Sequence, residues 1–146
     1  MEPKKKIVIT SGYFDPIHVG HINLIREAKE LGDVLIVVVN NDNQIKIKKS
    51  VGFMPENERL EIIKALRHAD EVVLSIDHDR SVAKTLELIA QKYDGEFYFA
   101  KGGDRNADNI PEEEKLVCEK HNIKIINGVG GGKIQSSSWL IKRAAA

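Results

Sequence analysis

The sequence predicts an α/β domain built on an open, parallel, five-stranded sheet with helices on both faces. Short apolar runs alternate with stretches of helical period, the pattern of strands joined by crossover helices. The apolar runs are continuous rather than alternating, as expected of strands covered on both faces. A length of 146 residues suits one domain that buries a continuous core without disulfide or metal staples.

Taken in order, the first strand is expected at 6–11 and the first helix at 18–31, where Ile22, Ile25, Ala28 and Leu31 fall on one stripe. The second strand, 34–40, is the best candidate for the sheet's centre, because Val34 to Val39 contain no polar residue. A polar, lysine-rich loop follows at 40–54. A helix is expected at 55–68, opened by Pro55, whose missing N–H costs nothing in a first turn. The remaining strands are placed at 71–76, 96–100 and 123–127, and the remaining helices at 81–93, 111–121 and 137–143.

Charge and composition exclude several classes. The 22 basic and 22 acidic residues cancel, whereas a protein gripping long nucleic acid would carry a basic surplus. Cys118 is the single cysteine, no signal-peptide apolar region follows Lys4, Lys5 and Lys6, and no apolar stretch approaches the roughly 20 residues that span a bilayer. A cytoplasmic protein without a membrane or nucleic-acid partner is expected.

In sheets of this kind ligands bind beyond the carboxyl ends of the strands, where helix N-termini also point. Loops at 12–20, 40–54, 101–110 and 128–138 gather there. The first reads Gly12, Tyr13, Phe14, Asp15, then His18, Gly20 and His21, with no dinucleotide-type glycine fingerprint. His18 and His21, three apart at a helix start, can present both imidazoles on one side near the positive end of the helix dipole. Gly20 is expected to let a phosphate approach the backbone. The arrangement suits a polyanion such as a triphosphate. A zinc site is the competing reading of the two histidines, but no further ligand stands at metal spacing. In the third loop, glycines at 102 and 103 leave room for a base, and Asp104 can accept from it. In the last, Ser136 and Ser137 open a helix where hydroxyls and free N–H groups converge on an anion; plain N-capping would explain them equally.

Gly12-Tyr13-Phe14-Asp15 followed by His18-Val19-Gly20-His21 resembles the G-x-F-D and H-x-G-H signatures of the cytidylyltransferase-like nucleotidyltransferases, a superfamily that includes glycerol-3-phosphate cytidylyltransferase and heptose-1-phosphate adenylyltransferase. The likeness continues through Asp42, the lysine loop, Pro55 with Arg59, Lys101 to Asp104 and the closing serines. It implies a Rossmann-like nucleotidyltransferase fold and a homodimer. It also implies transfer of a nucleoside monophosphate from ATP or CTP to a small phosphorylated acceptor such as a sugar phosphate, with release of pyrophosphate. Such an attack needs no general base, because a phosphomonoester is already anionic at neutral pH. The catalyst must instead stabilise charge on the α-phosphate and the departing pyrophosphate.

His18 and His21 are the expected donors, and Lys46 and Lys49 resemble the family's phosphate-binding lysines. Gly12, Tyr13, Phe14, Gly20, Gly103, Asp104, Ser136 and Ser137 fall to the nucleotide. Asp42 and Lys133 fall to the acceptor, Lys133 standing in for an arginine that the cytidylyl branch carries in the last loop. Mg²⁺ would accompany the triphosphate, with Asp15 either touching the ion or orienting its loop. Lys101-Gly102-Gly103-Asp104 is closer to the adenylyl branch, so AMP transfer is expected over CMP transfer. An aminoacyl-tRNA synthetase core also uses a similar histidine motif, but the chain lacks an anticodon-binding domain and a basic surplus. A non-catalytic nucleotide-binding module is the remaining alternative.

Overall fold

The computed structural model describes residues 4–49, 51–102, 110–131 and 135–145. In chain order the elements are β1 (Lys6–Gly12), α1 (Val19–Glu30), β2 (Val34–Val39), α2 (Asp42–Lys49), α3 (Glu56–Lys64) and β3 (Glu71–Leu74), followed by α4 (Ala83–Lys92), β4 (Glu96–Gly102), α5 (Glu112–Lys120), β5 (Lys124–Val129) and α6 (Ser137–Ala145). The five strands pair in the order β3-β2-β1-β4-β5, and each recorded pairing is parallel. This is the expected Rossmann-like sheet, except that β1, not β2, stands at its centre; β2 is the interior strand between β1 and the edge strand β3.

Residues alternate across each strand, so β1 and β2 supply both cores. On one face Ile7, Ile9, Ile36 and Val38 pack with Leu86 and Ile89 of α4 and Cys118 of α5. On the other, Val8, Leu35, Val37 and Val39 pack with Ile25 and Ala28 of α1 and Ile63 of α3. Burial of both faces explains why the strands read as unbroken apolar runs. Among the described residues no helix is long and apolar enough to cross a membrane.

The segment expected as a lysine-rich loop is instead the helix α2 from Asp42 onward. Its start is capped reciprocally: the Gln44 N–H donates to Asn41 Oδ1 at 2.9 Å, and the Asn41 N–H donates to Gln44 Oε1 at 3.1 Å. That is a capping box, and Asn41 followed three residues on by Gln44 and then Ile45 was its sequence signal. Net helix propensity and the charge run hid it. The helix placed at 55–68 ends at Lys64, with residues 65–68 forming a turn.

Candidate active site

The loop after β1 is held in place from outside. Asp15 is almost fully buried, and its carboxylate accepts the backbone N–H groups of Phe53 at 2.7 Å and Met54 at 2.6 Å. It also pairs with Lys49 Nζ at 2.9 Å. Burial opposes ionisation, but the Phe53 N–H, the Lys49 ammonium and the Met54 N–H outweigh it and hold the carboxyl below its ordinary range. Of the two roles open to Asp15, the geometry shows loop orientation: it ties the end of α2 and the approach to α3 onto the first loop. Phe14 adopts a left-handed backbone with φ of 53°, a conformation that costs about 1–3 kcal/mol and persists only where surroundings impose it. Its buried ring stands edge-on to His21, centroids 4.9 Å apart.

His18 is the N-cap of α1, and the two histidines cap each other's turn. The Gly20 N–H donates to His18 Nδ1 at 3.0 Å, and the His18 N–H donates to His21 Nδ1 at 3.1 Å. A ring nitrogen that accepts carries no proton, so the proton of each neutral imidazole sits on Nε2. The rings stack with centroids 3.8 Å apart. Burial lowers the pKa of His18. Burial, then the neighbouring His18, then Lys48 push His21 down to about 3. At neutral pH the pair is therefore uncharged, with two Nε2–H donors at a helix N-terminus.

Gly20 has a different first purpose from the one expected. A Cβ there would lie 2.8 Å from His18 Cε1, so glycine is required by the capping imidazole itself.

A cleft of ≈ 700 Å³ opens over the two histidines. Gly12, Tyr13, Phe14, Asp15, His18 and Gly20 line its floor together with His21, while Lys48, Lys49 and Lys142 supply positive charge. The last loop forms the opposite wall. Gly130, at φ of 89°, brings that wall against α1, where a Cβ would stand 2.9 Å from the Leu24 Cα. Ser136 and Ser137 line the cleft too, with their hydroxyls engaged. Ser136 Oγ accepts the Trp139 N–H at 3.1 Å, and Ser137 Oγ donates to the Pro16 carbonyl at 2.7 Å, joining α6 to the first loop.

Two expected site residues stand elsewhere. Lys46 is exposed and does not line the cleft; Lys48, which the sequence reading passed over, does, with its ammonium 4.2 Å from the Tyr13 ring centre. Asp42 is also outside the cleft: its carboxylate accepts from Arg59 at 2.8 Å. Gly103, Asp104 and Lys133 lie outside the described residues. Among the described residues no group of three or more His, Cys, Asp or Glu could hold a metal ion, and both oxygens of Asp15 are engaged as described.

Arg59 is the residue whose importance the sequence understated. It is fully buried and donates to the carbonyls of Met54, Tyr13 and Asn40 as well as to Asp42. Arg59 and Ile63 are the buried residues of α3, four apart on one stripe, and an arginine on the apolar stripe was the available signal.

An enzyme that handles a polyphosphate at the edge of a parallel sheet needs fixed donors at a helix start and a cationic rim, and both are present. The class is nucleotidyltransferase. Residues 9–143 match the family described as cytidylyltransferase-like, and the chain belongs to that family. An FAD synthase of Thermococcus sibiricus is 39% identical over 130 residues, which cover 86% of this chain and 82% of that protein. A bifunctional protein HldE of Citrifermentans bemidjiense is 33% identical over 141 residues, covering 95% of this chain but 27% of that longer protein. In solved structures, a lipopolysaccharide core biosynthesis protein from Thermoplasma volcanium superposes with a TM-score of 0.69 at 28% identity, covering 88% of this chain and 99% of that one.

Proposed function

We propose that the chain transfers AMP from ATP to the phosphate of a small phosphorylated acceptor, with FMN the favoured acceptor and a sugar phosphate the second. The observation that carries the transfer chemistry is the neutral His18–His21 pair at the head of α1, lining the cleft with Nε2–H groups. A phosphate oxygen of the acceptor bonds to the α-phosphorus, the bond from that phosphorus to the bridging oxygen breaks, and pyrophosphate leaves with the electron pair. The imidazoles donate hydrogen bonds to the oxygens on which charge grows, and Lys48 and Lys49 offset the charge of the leaving group. Neutral donors suit this role because they need no deprotonation and cost no reorganisation. A magnesium ion would be carried by the triphosphate oxygens, since the described residues offer no carboxylate cluster to hold it.

The acceptor rests on relatives. FAD is FMN joined to AMP, and the FAD synthase of Thermococcus sibiricus aligns along most of both chains. The HldE protein and the lipopolysaccharide core biosynthesis protein support a sugar phosphate. The test is pyrophosphate release from ATP and from CTP with FMN and a panel of sugar and polyol phosphates. FAD formation is the expected result. A CTP advantage of about tenfold in kcat/KM would overturn the choice of base, a discrimination that a few unpaired polar groups can produce. No pyrophosphate release with any pair would leave a nucleotide-binding module. A homodimer is proposed as well, on family likeness, and a monomeric mass by light scattering would refute it.

A further inference from the structure

A second recess adjoins the cleft. It measures ≈ 80 Å³, and Ser11, Gly12, Tyr13 and Gly102 border both cavities. Its outer wall is built by Arg80, by Val82 at the N-cap of α4, and by Lys101 and Glu114. That volume is about the share of two to three liquid waters, room for a phosphate group but not for a nucleotide.

Among the described residues the charges of the recess resolve to one cation. Glu114 Oε1 takes Lys101 Nζ at 3.2 Å and Oε2 takes the Val82 N–H at 2.9 Å, so this carboxylate is neutralised and both its oxygens are engaged. The carboxylates in the chain beside Arg80 are engaged as well. Asp77 accepts from the Lys84 and Thr85 N–H groups and from the Thr85 hydroxyl, and Asp79 accepts from Ser81. Arg80 has no hydrogen bond or ion pair among the described residues.

Its backbone is nonetheless fixed. The Gln44 side-chain amide donates to the carbonyls of Asp79 and Ser81, both at 2.8 Å, which flank Arg80 on either side. Asn41 holds the Ser75 and Asp77 carbonyls in the same way, at 2.9 and 3.0 Å. The two buried residues of the capping box, Asn41 and Gln44, the latter held in turn by the Asn40 side chain, therefore serve as a mould for the Arg80 segment. A guanidinium without a partner, on a segment held this firmly, over a phosphate-sized recess beside the reaction cleft, is an arrangement prepared for an oxyanion.

We propose that this recess receives the phosphomonoester of the acceptor and that Arg80 is the side chain that recognises it. The inference rests on the adenylyl-transfer reading for the word acceptor, but the anion site stands on the recess itself. Arg80 presents a fork matched to two phosphate oxygens, which a lysine would not reproduce.

The test separates the two readings by measuring binding as well as turnover. With the cleft occupied by the non-hydrolysable analogue α,β-methylene-ATP, inorganic phosphate is titrated calorimetrically into wild type, Arg80→Gln and Arg80→Lys. Phosphate affinity should fall at least tenfold in Arg80→Gln and be poorly restored in Arg80→Lys, while the affinity for the analogue stays within twofold. In turnover, the KM for the phosphorylated acceptor should rise by a similar factor and the KM for ATP should not. Equal phosphate affinity in wild type and Arg80→Gln, no phosphate binding to the wild type, or equal loss for phosphate and analogue would each overturn the recess assignment. Phosphate binding lost in Arg80→Gln with no adenylyl transfer by the wild type would support the recess and sink the proposed reaction instead.

Discussion

Arg59 and the His18–His21 pair stand close together along the carboxyl edge of the sheet, and their polar atoms are used in opposite ways. Arg59 is fully buried, and its guanidinium is closed on three backbone carbonyls and one carboxylate. The histidines use only their Nδ1 atoms internally, each to cap a helix turn, and keep Nε2 for the cleft. A buried cation whose donors are all matched within the protein is scaffold; a polar group half committed to the scaffold is held still and remains able to bind. Arg80 has the second character, with its backbone committed and its side chain open.

Arg59→Met is expected to give the largest effect. Arg59→Met leaves three backbone carbonyls without their donor, each a cost of about 1–3 kcal/mol, while the Asp42 carboxylate is 41% exposed and returns to water; a fall in melting temperature of roughly 10 °C is expected in a protein of this size. Urea unfolding measures it, and an unchanged midpoint would show that Arg59 is not the clamp described. Loss of activity here should follow loss of structure.

For the histidines the opposite dissociation is expected. His18→Ala and His21→Ala should each lower turnover about 100-fold while the fold persists. His18→Asn sharpens the contrast, because asparagine is a good N-cap but has no Nε2. It should melt like the wild type and turn over like His18→Ala. Recovery of activity in His18→Asn would mean that His18 acts through the helix cap alone.

The depressed histidine pKa values make a pH prediction of intermediate size. The unfolded chain protonates His21 near pH 6.5 while the native chain resists down to about 3. The native state thus binds fewer protons than the unfolded one in this window, so stability is full above about pH 6.5 and is lost as pH falls. Between pH 7.5 and pH 5 the wild type should lose roughly 2 kcal/mol that His21→Gln does not lose. Equal slopes in the two proteins would place a charged imidazole in the native site.

The smallest effects distinguish the lysines of α2. Lys49→Ala removes the partner of buried Asp15 and a cation of the cleft, and should reduce both stability and turnover severalfold. Lys46→Ala, on the exposed side, should change turnover less than about twofold, within the usual range for surface substitutions. Steady-state kinetics on the two variants decides it, and a larger loss from Lys46 would return that lysine to the reaction.

Local pattern was enough to read the five parallel strands, the helices between them and the histidine loop, because apolar period, proline at helix starts and a motif contained in residues 12–21 are all short-range properties. The histidine spacing even determined the reciprocal cap, since residues three apart meet at a helix start. Tertiary structure decided the rest. That Asp15, on the cleft floor, spends its carboxylate on orienting a loop depends on Phe53 and Met54; that Arg59 is a clamp depends on Tyr13, Asn40 and Asp42; and that the Arg80 segment is held beside the cleft depends on Gln44. These partners come from different elements, and whether a polar atom is satisfied or left open is known only once the chain has brought them together.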